Sequence, residues 1–220
     1  TSHIGGGIDS YYEYLVKAWL LFGDEECKAM ADDALRAVNT YVADTSHGGL
    51  WYGDVEMATG KRVGTTYGSL HAFYPAVLCL AGDVDRAKAL QASSYKMWGL
   101  YGIEPEEIDY ATMKVTAKSY YLRPEIIESA FYLLRKTNDP AYTAMGEAFY
   151  RGITSFCRTE AGYAYLKDVT TGEKADGMES FFFAETLKYL YLIFAPTSTI
   201  SLDEIVFTTE AHPIRPTWKK

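Results

Sequence analysis

Apolar positions recur along this chain at helical spacing. Residues 10–22 read SYYEYLVKAWLLF, and Tyr11, Tyr14, Leu15, Ala18 and Trp19 fall on one helix face. Gly23-Asp24 ends that helix and caps the next, predicted over 25–43. A glycine-rich stretch, GGLWYGDVEMATGKRV (48–63), interrupts the period. Trp51, Tyr52 and Val55 flank short extended pieces and Thr59-Gly60 marks a turn, which predicts a β-hairpin. The pattern then repeats. Helices are predicted over 67–81 and 84–100, parted by Gly82-Asp83, and a long loop over 102–122. Two more follow over 124–136 and 140–157, parted by Asn138-Asp139, then a second hairpin, GYAYLKDVTTGEK (162–174). A helix over 179–194 and an extended run over 205–209 complete the pattern.

The turn dipeptides at 23, 82 and 138 are spaced by 59 and 56 residues, a repeat of helical hairpins. One hairpin cannot bury its own apolar face, so such units stack or close into a ring. The first helix of each unit opens on a short signature: Asp9-Ser10, Gly68-Ser69, Pro124-Glu125 and Glu179-Ser180. In a ring these starts share one end of the barrel, and three of the four carry a carboxylate. Any one of these acids is explained by the partial positive charge of a helix N-terminus. Three converging on one end also match the needs of glycoside hydrolysis: an acid, a base and room for a water. A closed α/α ring takes about six or seven hairpins, and this chain has three and the start of a fourth. The expectation is therefore that residues 1–220 are half of one barrel whose other half lies elsewhere.

Composition adds to this picture in three places. A net charge of −8 argues against nucleic acid, and no apolar run is long enough to span a membrane. Aromatic residues make up 15%, with 19 Tyr. Such rings suit sugars, which stack their C–H faces on them, and equally fill a helical core. Cys27, Cys79 and Cys157 lie within apolar helical patterns without metal spacing, so buried inert thiols are expected. His3, His47 and His71 have no partner spacing and read as surface or core residues.

Four segments carry a resemblance. They are Asp9-Ser10-Tyr11-Tyr12-Glu13-Tyr14-Leu15; Leu122-Arg123-Pro124-Glu125 with Glu128-Ser129; Met178-Glu179-Ser180-Phe181-Phe182 with Glu185-Thr186-Leu187; and Phe207-Thr208-Thr209-Glu210-Ala211-His212-Pro213. In this order, from residue 3 to about 213, they resemble the class I α-mannosidases, glycoside hydrolase family 47. The resemblance implies the C-terminal part of an all-α (α/α)7 barrel with short β-hairpin connectors. It implies a calcium-dependent, inverting α-1,2-mannosidase acting on high-mannose oligosaccharides, with residues 1–220 as the C-terminal half of a single catalytic domain. It places the enzyme in the secretory pathway (the ER lumen) of a eukaryote, or in the periplasm or exterior of a bacterium.

Carried onto this sequence, the resemblance makes Glu125 the general base and Asp9 a second catalytic carboxylate. Arg123 orients the mannose or a neighbouring carboxylate, and Phe181 is the ring under the mannose at the cleavage point. Glu185 and Glu210 hold calcium-bound waters and sugar hydroxyls, Glu106 faces the pocket from the loop Ile103-Glu104-Pro105-Glu106, and Glu179 contributes to substrate binding. Thr209 is the calcium ligand, through hydroxyl and carbonyl. The general acid falls outside this chain. Two departures, Gly7 in place of an arginine and Gly68-Ser69 in place of Asp-His, resemble the ER degradation-enhancing branch and its bacterial relatives. The alternative reading is a lectin-like protein of that branch which binds the glycan without cutting it.

Overall fold

A computed structural model describes residues 1–216. Three helical hairpins form its frame: α1 (Asp9–Phe22) with α2 (Glu25–Tyr41), α3 (Tyr74–Ala81) with α4 (Val84–Gly99), and α5 (Glu125–Thr137) with α6 (Pro140–Phe156). The three turns repeat one device. Gly23, Gly82 and Asn138 close their helices in the left-handed conformation, at φ 68°, 95° and 53°. Asp24, Asp83 and Asp139 then cap the next helix, accepting from the backbone amides of Cys27, Arg86 and Ala141. The dipeptides read from the sequence are thus C-cap and N-cap in succession.

Helices α1, α3 and α5 lie side by side, and α7 (Leu187–Phe194) packs on α5 as a fourth member of this inner row. Helices α2, α4 and α6 back them on the outside. Inner helices touch neighbours on several sides and are apolar accordingly: α5 buries an unbroken run from Ile126 to Leu133. α1 and α7 stand at the two ends of the row. Exposed aromatics cluster at both ends, with Tyr11, Tyr14 and Tyr41 on one side and Phe183, Tyr191 and Phe194 on the other.

Two elements differ from expectation. The segment predicted as the start of a helix at 67 is strand and 3-10 turn, and the α-helix proper begins at Tyr74. The loop predicted over 102–122 contains two strands. β5 (Thr66–Gly68), β6 (Glu107–Asp109) and β7 (Lys114–Ala117) form a three-stranded antiparallel sheet. β5 pairs β6 across some forty residues, which apolar periodicity along the chain does not reveal, while β6 and β7 form a local hairpin inside the predicted loop. Gly68 permits the pairing, since a Cβ there would lie 2.7 Å from the Glu106 carbonyl oxygen.

The two expected hairpins are present: β3 (Asp54–Val55) pairs β4 (Arg62–Gly64), and β8 (Leu166–Asp168) pairs β9 (Glu173–Lys174). Just ahead of the first, and outside the expectation, β1 (Ala43–Asp44) pairs β2 (Trp51–Tyr52), where the predicted helix runs on to 43. The last extended run is β10 (Val206–Phe207), paired with β11 (Pro213–Ile214). Phe207 is fully buried among Phe131 of α5 and Tyr189 of α7, each such ring worth roughly 2–3 kcal/mol of burial. Tyrosine serves as core filler at many positions, Tyr52, Tyr67, Tyr74, Tyr120 and Tyr189 among them. Cys79 and Cys157 are buried as expected. Cys27 is half-exposed, because it sits in the first turn of the outer helix α2.

Candidate active site

The site forms where the inner helices begin. Glu125 is the first residue of α5, after Pro124, whose ring cannot continue a helix backwards. Two residues earlier Leu122 is forced to φ +63°, uncommon for a side chain branched beyond Cβ. The buried hydroxyl of Thr186 donates to the Leu122 carbonyl at 2.7 Å and holds it there. Thr186 closes a π-helical turn, Phe182–Thr186, that leads into α7. A π-turn inside a helix re-aims its side chains and recurs at functional sites.

Arg123 is fixed by this arrangement. Its Nη2 donates to Glu106 Oε1 at 2.7 Å and its Nε to Glu106 Oε2 at 3.3 Å, a two-pronged pair. The guanidinium also lies 5.7 Å from the Phe181 ring and 5.5 Å from Tyr121. Glu106 is positioned in turn by the sheet, its amide donating to the Ser119 carbonyl and its carbonyl accepting from Ser69. Glu106, Arg123 and Phe181, far apart in sequence, form one wall.

Carboxylates crowd beside it. Glu125 is half-buried, and its Oε2 is buried without a protein partner. Burial raises its pKa to about 8; Arg123 opposes the shift, while Glu185 and Glu106 add to it. Glu128, one turn on, is buried and raised to about 8, by burial first and Glu13 next, against the opposing charge of Lys17. Glu185 is raised to about 7 by burial and by Glu128, Glu210 and Glu13. Glu104 is fully buried with neither oxygen partnered, and burial with Glu125 and Glu106 nearby pushes it well above the carboxylate range. Lys17 lies buried among these acids, ion-paired to Glu13 and 3.7 Å from Glu128. Burial alone would lower its pKa, but Tyr132, Glu128 and Glu13 outweigh that and raise it. Glu128 also accepts from the Tyr189 hydroxyl at 3.0 Å.

The turn between β10 and β11 reaches this cluster. Lys17 donates to the Thr208 carbonyl at 3.2 Å, and the Thr209 amide donates to the Tyr14 hydroxyl at 3.3 Å. The C-terminal segment, the middle of α1 and the starts of α5 and α7 therefore meet at one place.

The sequence pattern of glycosyl hydrolase family 47 matches residues 1–216. The chain belongs to that family. It is 39% identical over 217 residues to Alpha-mannosidase I MNS5 of Arabidopsis thaliana, covering 98% of this chain and 37% of that protein. It is 36% identical over 234 residues to ER degradation-enhancing alpha-mannosidase-like protein 2 of Homo sapiens, covering 97% of this chain and 40% of that protein. The alpha-1,2-mannosidase from Trichoderma reesei superimposes with a TM-score of 0.89 at 27% identity, over 97% of this chain and 52% of that one. The chain therefore spans well under half the length of these curated relatives, and its fold is the α/α barrel of the family.

Within this family 47 chain, the residues singled out from sequence fall into three groups. Glu106, Arg123, Glu125 and Phe181 stand together, and Glu185 joins the acids next to them. Thr209 and Glu210 arrive on the C-terminal turn, with Glu210 exposed and close enough to Glu185 to raise it. Asp9 heads α1, half-buried, on the helix face that carries Glu13 and Lys17 at four-residue intervals. Glu179 is exposed ahead of the π-turn, where its carbonyl accepts from Phe182. Sequence reasoning gave no role to Glu13, Lys17, Glu104, Thr186 or Tyr189, nor to Glu128 beyond its motif. The spacings Glu13 to Lys17 and Glu125 to Glu128 were visible, yet on an isolated helix they describe ordinary surface pairs. His71, read as a surface or core residue, packs against Gly5; burial and His3 hold its pKa down at about 3.

Proposed function

We propose that this chain supplies the water-activating side of an inverting exo-α-1,2-mannosidase that removes terminal α-1,2-linked mannose from high-mannose glycans. The observation that carries the reading is Glu125, a carboxylate with a buried, unpartnered oxygen beside a fixed Arg123 and an aromatic face. That oxygen has an acceptor site left for a water. In the proposed reaction Glu125 takes a proton from this water as it attacks the anomeric carbon, and Arg123, locked by Glu106, orients the sugar. Phe181 offers its ring to the C–H face of the mannose, and Asp9 stands as the second catalytic carboxylate. Glu106, Glu185, Glu210 and the exposed Glu179 are acceptors for sugar hydroxyls. The general acid is expected from the part of the protein outside this chain.

The residues present fit a hard cation. Glu125, Glu128 and Glu185 are held far above their ordinary range by burial and by one another, and Lys17 offsets only part of that charge. Among the described residues, no group of three or more His, Cys, Asp or Glu is arranged to grip an ion directly. In this reading calcium is bound through the hydroxyl and carbonyl of Thr209 with water in the remaining positions, the waters held by Glu185, Glu210 and Glu128. Bound there, calcium would supply positive charge that restores the ionised form of Glu125 and engages sugar hydroxyls.

We further propose that residues 1–220 make up the C-terminal half of one (α/α)7 domain, the other half docking on both ends of the inner row. The aromatics exposed at those two ends support this reading. The working compartment is the secretory pathway of a eukaryote, or the periplasm or exterior of a bacterium. Among the described residues no helix is long and apolar enough to cross a membrane.

The test is NMR of the intact protein with a high-mannose oligosaccharide. The expected first product is β-mannose released from an α-linkage. Release of α-mannose, or a glycosyl ester trapped on Glu125, would refute inversion; glycan binding without release would restore the lectin reading.

A further inference from the structure

The C-terminal turn is held from two sides by lysines. Lys17 of α1 donates to the Thr208 carbonyl at 3.2 Å, while Lys188 of α7 donates to the Ala211 carbonyl at 2.7 Å. The turn itself closes with the Thr208 amide on the His212 carbonyl at 2.9 Å and the Ala211 amide on the Thr208 carbonyl at 3.0 Å. Ala211 is buried at φ +57°, a conformation that costs an alanine free energy and persists only where surroundings impose it. Two ammonium donors on the carbonyls that flank Thr209 and Glu210 are such an imposition.

Lys17 differs from Lys188 in what else it touches. It is 97% inaccessible, ion-paired to Glu13 and 3.7 Å from Glu128, which also accepts from Tyr189. An ammonium carries three donors and no acceptor, so one Nζ can serve a carbonyl and two carboxylates at once. A buried ammonium is retained only with such partners. We propose that Lys17 is a positioning residue: it fastens the Thr208–Ala211 turn to Glu13 and Glu128, and thereby sets where the hydroxyl and carbonyl of Thr209 stand. Its consequence for metal binding rests on the calcium reading given above. Phe207 anchors the base of the turn in the core, and the Tyr14 hydroxyl accepts from the Thr209 amide. Between these points the two lysines hold the carbonyls, so losing either one loosens the backbone around Thr209.

The experiment compares Lys17→Met and Lys188→Met in the intact protein, with Leu133→Ala of α5 as a control for general destabilisation. Hydrogen exchange of the 208–212 backbone amides in EDTA reads the turn directly, and titration with calcium chloride reads the metal. Both lysine variants are expected to speed exchange at 208–212 and to weaken calcium about tenfold or more. Leu133→Ala is expected to lower the melting temperature without doing either. Unchanged exchange in Lys17→Met overturns the proposal. So does calcium that binds more tightly in Lys17→Met and as before in Lys188→Met, which would make Lys17 a competing charge. If Lys17→Met does not fold, Lys17→Arg decides: it keeps the charge but puts a larger head against the Thr208 carbonyl, so it should speed exchange at 208–212 and weaken calcium, and unchanged exchange overturns the proposal. If the wild-type protein binds no calcium, the metal reading fails, and the exchange result still judges the role of Lys17.

Discussion

Replacing Glu125 with glutamine separates what this residue does for the fold from what it does for the reaction. The amide keeps the shape and cannot ionise. In the folded chain without metal the Glu125 carboxyl is raised from 4.5 to about 8, by burial against the opposing pull of Arg123. A carboxyl with a raised folded pKa binds its proton more tightly in the folded than in the unfolded state. Its contribution to stability is therefore complete below about pH 4.5 and is lost as pH climbs through about 8. The full shift corresponds to about 5 kcal/mol at 1.36 kcal/mol per pH unit. Solvent reaches the half-buried side chain, so about 2 kcal/mol is the expected net effect. Glu125→Gln should hence match the parent's stability near pH 4.5 and exceed it by about 2 kcal/mol at pH 9. That is a rise of a few degrees in melting temperature for a domain of this size. The same variant should lose roughly 10²–10⁴ in kcat with little change in KM, because the water loses its base. The assay is thermal unfolding in EDTA at the two pH values, alongside initial rates on an α-1,2-linked mannobiose. A stability difference that does not depend on pH would show that burial does not set the ionisation of Glu125. Near-normal turnover would transfer the base role to Asp9.

Three further outcomes follow from named contacts. Thr209→Ala should abolish calcium binding and turnover together. In the parent, EDTA should abolish turnover and calcium, but not zinc, should restore it; full activity in a metal-free preparation would contradict this. Thr186→Val removes the only hydroxyl bonded to the Leu122 carbonyl in the described residues and leaves that carbonyl buried and unpaired. The cost should be about 1–3 kcal/mol in urea unfolding, with a fall in kcat/KM as Arg123 and Glu125 shift; unchanged kcat/KM in the folded variant would show that the Leu122 strain is incidental. Asp139→Ala removes the α6 cap and should cost about 1 kcal/mol without changing kcat/KM, as measured by unfolding and by rates; an equal loss of rate would mean that the outer helices bear on the site.

The sequence by itself determined the hairpins. Apolar spacing at 10–22 and 124–136, with Gly-Asp or Asn-Asp between partners, is local information: each left-handed C-cap and each aspartate cap acts within a few residues of itself. It also picked out the wall residues Glu106, Arg123 and Phe181, and Glu125 and Glu185 beside them, through their motifs. What it could not give is anything that depends on two distant segments meeting. β5 pairs β6 across some forty residues, and so the end of that strand falls inside the helix predicted from 67. Glu13, Lys17 and Glu128 are charged groups at helical spacing, which on one helix is the pattern of a solvated face. Only the packing of α1 on α3, α3 on α5 and α5 on α7 turns those faces inward. Burial then decides the chemistry. The same glutamate that would titrate near 4.5 in water sits at about 8 at the head of α5, because the neighbouring helices have removed the water that would have solvated its charge.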